Sequence, residues 1–336
     1  MDPADPLFLA YPDAYPFGVD RKKEAFDRLD GRFDTRVLEP SPPPVDEPPW
    51  LADDPIDSPA AEGNPVVAPV PGFDHTWDEL CSTEPDLAAW CADRWLGGWQ
   101  RLSDLPDRLG STRRSLHTLA EHVVTPARYH TNGKIGLRYT HRGFGTPFFG
   151  DTRQVRVEGS DLVVDRGASE ERAPITTLAA AAEFVNVEPG GPNDLYPCTT
   201  PRDTTALLPV DDSAASCIAD WFGFAASVLE ELRTEAAIEE MPSRVQLWPE
   251  HFDIALELGA ESAAKRAGYG ASPGDEAHNE PYLYVVPWVL VTDEAWWNDT
   301  HYKGARLDYK EILESDDQRR FALDFFRKLR NRLRSY

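Results

Sequence analysis

Along the last two-thirds of the chain, apolar residues recur either at helical spacing or in alternation. The two patterns follow one another twice in the same order. The first round opens with a helical stretch from Thr112 to about Tyr129, with Ser111 or Thr112 as its cap. A strand is predicted over 133–140, then a glycine–aromatic–glycine turn at 143–147. Two alternating runs, RQVRVEG and DLVVDR, predict a hairpin around Gly159-Ser160. An alanine-rich helix follows, with Pro174 in its first turn.

The second round repeats the order. A helix runs from about Ser213 to Ala237, capped by Asp212 or Ser213. A strand over 244–258, a GYG turn within 268–275 and a strand over 281–291 come next. A helix from about Asp316 to Arg334 closes the round. The pattern predicts an α+β protein: two degenerate helix–antiparallel sheet–helix units, 111–190 and 191–336, forming one body.

The N-terminal third reads differently. Residues 1–72 hold half of the chain's 30 prolines and an excess of acidic groups. That composition predicts an extended, acidic, Pro-rich arm. Phe8, Tyr11, Tyr15, Phe17 and Trp50 give it apolar anchors, so partial docking on the body is expected. Residues 73–110 form a Trp-rich helical segment, with a short helix from Asp86 through Trp95 whose tryptophans pack in a core. The last helix is amphipathic: Ala322, Phe325, Phe326, Leu329 and Leu333 share one face and the other is basic. Its apolar stripe is expected to dock on its own, largely acidic body.

The net charge of −24 argues against nucleic acid as a partner, which needs a basic face. No apolar run is long enough to span a membrane and the N-terminus has no secretory pattern, so a cytoplasmic protein is expected. Cys81, Cys91, Cys198 and Cys217 form no CxxC pair and match no zinc spacing, which predicts ordinary reduced thiols. Oligomeric state is not legible.

Chemistry concentrates in two stretches, LWPEHFDIALELG at 247–259 and GYGASPGDEAHNEPYLYVVPW at 268–288. As a continuous strand, the first puts His251 and Asp253 side by side on one face and Glu250 on the other. A histidine next to a carboxylate suits a proton shuttle or a metal ligand. A structural His–Asp hydrogen bond is the plainer alternative. Ser272-Pro273-Gly274-Asp275 carries the residues of a type II turn, which presents Asp275, Glu276 and His278. With Glu280, which Pro281 holds extended, these residues make a candidate divalent-metal set: His251, Asp253, Asp275, His278 and Glu280. A solvated acidic loop is the alternative. Trp248, Tyr282, Tyr284 and Trp288 can wall a pocket, and Arg138 can meet an anionic ligand. His117, Glu121 and His122 match no zinc-protease motif and read as a local helical pair. Gly143-Phe144-Gly145 lacks the third glycine of a dinucleotide fingerprint, and no serine lies in a GxSxG elbow.

Several of these stretches together resemble a family of uncharacterised bacterial proteins of actinobacterial type, defined by a domain of unknown function. The resemblance rests on Leu116-His117 with Ala120, on Gly136-Leu137-Arg138 before Gly143-Phe144-Gly145-Thr146, and on the WPxHFD pattern of Trp248–Asp253. It also rests on the SPGDE pattern of Ser272–Glu276, followed by Glu280-Pro281-Tyr282-Leu283-Tyr284. It covers about 110–330, implies a shared fold and no known activity, and favours Asp253 over His251 as the functional residue. Two functional classes follow. One is a metal-assisted or acid/base enzyme acting on a small polar molecule, with Asp253 and His251 as catalytic groups. The other is a non-catalytic small-molecule-binding or protein-interaction protein using the same pocket.

Overall fold

The computed structural model describes residues 99–335, apart from breaks at 134, 141, 147–148, 150–152, 167–168, 194–195, 238–239, 241, 244, 261–262, 264, 290, 292–294 and 300. The arm expected over 1–72 and the helix expected from Asp86 to Trp95 lie outside the described residues.

The first helical rod is longer than its apolar pattern predicts. It comprises α1 (Leu109–Leu119), a π-helical turn (Ala120–Val124) and α2 (Thr125–Asn132). Pro126 explains the π turn. It has no N–H to offer the carbonyl of His122, which instead accepts from the Gly190 amide at 3.0 Å. Gly133 ends the rod in the left-handed conformation, φ 73°.

Five antiparallel strands follow: β1 (Arg138–Thr140), β2 (Gly143–Gly145), β3 (Gln154–Glu158), β4 (Asp161–Asp165) and β5 (Glu170–Pro174). Each pairs with its sequence neighbour, and the β3–β4 hairpin turns at Gly159-Ser160 as expected. Helix α3 (Leu178–Val185) is capped by Thr177, whose Oγ1 accepts from Ala180. Pro174 therefore ends β5 and does not open this helix.

Helix α4 (Asp212–Thr234) opens the second round, capped by Asp211. The second antiparallel sheet comprises β6 (Gln246–Trp248), β7 (Asp253–Leu258), β8 (Ala267–Ser272), β9 (Tyr282–Pro287) and β10 (Ala305–Asp308). Then come α5 (Tyr309–Leu313) and α6 (Gln318–Arg334). Helix, antiparallel sheet and helix thus occur twice. The sheets meet at one antiparallel bridge, where the Leu137 and Leu247 amides and carbonyls exchange hydrogen bonds of 2.8 and 2.7 Å.

One core serves both halves. Trp221, Phe222, Phe224, Val228, Leu229 and Leu232 of α4 are fully buried, and α4 packs on strands of both sheets, on α1 and on α6. Ala322, Phe326, Leu329 and Leu333 of α6 join this core. The basic face of α6 meets acidic α4 and the segment after it: Arg319 pairs with Glu231 at 2.6 Å and Arg330 with Glu240 at 2.5 Å. The docking expected of this helix is what the structure shows. Residues 99–103 lie along the same end, where Gln318 exchanges hydrogen bonds with the Leu102 backbone.

Two expectations are corrected. GFG and GYG are not turns but lie within β2 and β8. Their aromatics, Phe144 and Tyr269, point into the core, so the glycines face the other side. A Cβ at Gly145 would overlap Arg156, and one at Gly270 would overlap the Tyr284 ring and hydroxyl. The predicted strand over 244–258 is a hairpin, β6 and β7, with Trp248 opposite Asp253. Four residues, Pro249 to Phe252, make its loop. Phe252 closes it in the left-handed region, φ 53°, its amide bonded to the Trp248 carbonyl at 2.7 Å. Among the described residues, no helix is long and apolar enough to cross a membrane.

Candidate functional site

The β6–β7 loop is the structural centre of the site. A left-handed phenylalanine is uncommon and strained. Here packing enforces it: the Phe252 ring lies 5.0 Å from Phe144, 5.4 Å from Phe222 and stacks on His117 at 5.3 Å. With Phe252 anchored inward, Glu250 and His251 are left on the wall of a cleft of about 610 Å³. Around it stand Arg113, Arg114 and His117 of α1, the loop Thr199–Pro201, the loop Gly274–Ala277, Tyr282, and the turn His301–Lys303. The cleft is therefore built from both halves of the chain.

His117 is wedged between these parts. Its Nε2 is 2.8 Å from the Pro249 carbonyl, 3.5 Å from Thr199 Oγ1 and 3.9 Å from Glu121 Oε2. Burial holds it neutral, its pKa pulled down to about 3. An imidazole that donates to a carbonyl through Nε2 keeps its basic lone pair on Nδ1.

Arg113 is the other notable wall residue. It is 5% exposed, and one guanidinium nitrogen donates to the Asp275 carbonyl at 3.1 Å. The other, Nη1, has no hydrogen-bond partner. Burial lowers its pKa, opposed by the nearby Asp275. Nη1 sits so close to Gly274 (φ 98°) that no side chain fits there.

Of the residues expected from sequence to act, His251, Asp275 and Tyr282 line the cleft, as does Glu250, which strand alternation had placed on the opposite face. His251 is exposed and Asp253 is buried one strand position deeper. Asp253 Oδ2 accepts from the Tyr284 hydroxyl and Oδ1 has no partner. Burial raises its pKa, opposed by His251 and the Tyr284 bond.

The five-residue metal set does not gather at one point. The Asp275 carboxylate accepts from the Ala277 and His278 amides, both at 2.7 Å, and from the Tyr282 hydroxyl at 2.5 Å. It caps its own turn, and among the described residues His251, Asp253, Asp275, His278 and Glu280 share no point within ligand distance. His278 lies against Arg306 at 2.6 Å and Asp299 at 3.3 Å, and Glu280 is exposed. Trp288 donates to Glu257 at 2.7 Å beneath Arg266. Arg138 and Trp248 are buried in β1 and β6.

The structure instead offers a metal-competent group that sequence reasoning passed over. Glu121, His122 and Cys198 bring one ligand atom each within 4.8 Å of the others. Among the described residues, no other set of His, Cys, Asp and Glu does so. Glu121 and His122 belong to the π turn. Glu121 is fully buried, and its oxygens accept from the Thr199 and Thr200 amides, each at 2.8 Å. The only sequence signal was the adjacent Glu-His pair; Cys198 lies far along the chain. Comparison with protein-family models, curated proteins and solved structures finds no match for this chain.

Proposed function

We propose that the cleft binds a small anionic molecule bearing a carboxylate or a phosphate, and that the protein acts on it by acid/base chemistry. The observation that carries this reading is Arg113, a buried guanidinium on the cleft wall with an unfilled donor. Leaving such a donor unsatisfied costs about 1–3 kcal/mol, and a ligand oxygen would offset it. Arg114 and Lys303 also line the cleft. They supply local positive charge in a chain of net charge −24, which would otherwise repel an anion. The acid/base part rests on the strained β6–β7 loop, which holds Glu250 and His251 at the cleft, with His117 beside them and Asp253 behind. Strain over-determined by packing is a mark of functional positions.

Thermal unfolding at fixed ionic strength, with citrate and inorganic phosphate against neutral glycerol, tests the reading. The anions are expected to raise Tm, and at 100 times Kd the gain is about 2.7 kcal/mol. Arg113→Met should abolish this response; it also removes the bond to the Asp275 carbonyl, so the anion-induced rise in Tm, not the ligand-free Tm, is the readout. An equal anion response in Arg113→Met, or none in the wild type, overturns the proposal. Proton NMR of the bound samples separates the two classes: conversion of the anion marks an enzyme, its persistence a binding protein.

A further inference from the structure

We infer that Glu121, His122 and Cys198 form a binding site for a single thiophilic divalent cation of the zinc class. The site backs on the anion cleft, with the Thr199–Thr200 loop between them, and takes a different ligand.

The donor set comes first. One carboxylate, one imidazole and one thiol are the ligands of zinc-type ions, whereas calcium and magnesium take oxygen alone. Three protein ligands leave the fourth position of a tetrahedral ion to water or another small ligand. The carboxylate and a thiolate together neutralise the ion's two charges.

The second observation is independent of the cluster and comes from His122, which is 2% exposed. Its Nε2 lies 3.0 Å from the Thr200 carbonyl. A carbonyl only accepts, so Nε2 carries the proton and Nδ1 is a bare lone pair. That Nδ1 is buried and has no hydrogen-bond partner. Metal-binding histidines show this arrangement: one nitrogen donates to a backbone carbonyl, which fixes the tautomer and turns the other toward the ion.

The surroundings hold the remaining ligands in the same manner. Backbone amides of Thr199 and Thr200 grip the Glu121 carboxylate, and the Thr200 hydroxyl adds a bond of 2.5 Å. A structural tie between the helix and this loop would need Glu121 alone; it leaves the buried His122 lone pair unexplained. Gly191 passes so close to Cys198 Sγ that a Cβ there would overlap the sulfur. The neighbouring Gly190 amide is fixed to the His122 carbonyl at 3.0 Å, the bond that Pro126 leaves open. The π turn thus places two consecutive ligands and anchors the segment that covers the third. Tetrahedral zinc wants ligand atoms about 3.3–3.6 Å apart, so the set closes with a shift of about an ångström. Binding replaces the Cys198 S–H bond with a sulfur–metal bond and releases that proton to solvent. His122 stays neutral and keeps its Nε2 proton.

The test uses the full chain, untagged and purified without chelator, then reconstituted with zinc or with cobalt alone. Elemental analysis should give one zinc per chain, and a chelator should lower Tm. Cobalt should produce a thiolate-to-metal charge-transfer band. That band and the zinc should be lost in Cys198→Ser and retained in Cys217→Ser. His122→Gln should weaken zinc binding at least 100-fold. Reconstituted wild type carrying less than a tenth of an equivalent of zinc overturns the inference, as does an unchanged cobalt spectrum in Cys198→Ser. If neither variant folds, zinc stoichiometry and the charge-transfer band of the wild type decide.

Discussion

The two sheets share a core on one side and differ on the other. On sheet one the far face is a ladder of ions. Arg156 of β3 reaches Glu170 at 2.5 Å and Asp165 at 3.5 Å, and Arg172 reaches Glu158 at 2.8 Å. On sheet two, three acids meet aromatic donors. Tyr284 crosses over Gly270 to Asp253, Trp288 reaches Glu257, and Tyr282 reaches Asp275. A carboxylate beside a guanidinium is held ionised. One beside a neutral hydroxyl in a buried place is held less firmly, and Asp253, with its raised pKa and unfilled Oδ1, shows it. The cleft draws on the second sheet, where the proton is still negotiable.

The comparison can be broken from either side. The largest effect is expected on the first sheet. Arg156→Met removes the buried cation at the centre of the ladder, beside Glu170 and Asp165, and should cost about 3 kcal/mol, measured by urea unfolding at neutral pH. Loss of less than a third of that would show the ladder to be a solvated ornament. On the second sheet, Gly270→Ala pushes a methyl into the path of Tyr284 and should cost about 2 kcal/mol. Gly110→Ala, where the nearest atom to a Cβ is 3.8 Å away, is the tolerated control.

The smallest effect carries the sign that separates the sheets. The folded-state pKa of Asp253 lies above its unfolded value. Its contribution to stability is therefore fully present below the unfolded pKa and is lost as pH rises through the folded one. Asp253→Asn should remove that loss and raise stability at neutral pH by about 1 kcal/mol. Unfolding curves of both proteins from pH 4 to 8 check it: the stability of the wild type relative to the variant should fall as pH rises, and a difference that stays constant or grows in favour of the wild type contradicts the assignment.

The long elements were legible because their patterns are local. Apolar spacing found the first rod, α4 and α6, and the DLVVDR and RQVRVEG runs found their hairpin. What failed depended on contacts between distant residues. The alternation through Pro249–Phe252 looked unbroken because a loop aromatic is buried as a strand residue would be; only Phe144, Phe222 and His117 explain the left-handed turn. The glycines of GFG and GYG read as breaks in the sequence, whereas in space they make room for Arg156 and Tyr284. His251, Asp275 and Tyr282, singled out from the sequence, line the cleft. Arg113 gave no signal among many helical arginines, and Cys198 becomes a partner of Glu121 and His122 only once the 190–200 segment folds back over the π turn.

The bridge between Leu137 and Leu247 has a kinetic consequence. Every strand within a sheet pairs with its neighbour in the chain, so each closure is short and its entropic cost modest. Among the described residues, the bridge is the backbone pairing that ties the start of β1 to β6 across the whole of the first sheet, α3 and α4. Two quickly assembled sheets that come together late, at this stitch and on the shared helix α4, is the order of events such wiring favours. The cleft, lined from both halves, would then come into being only when that stitch closes.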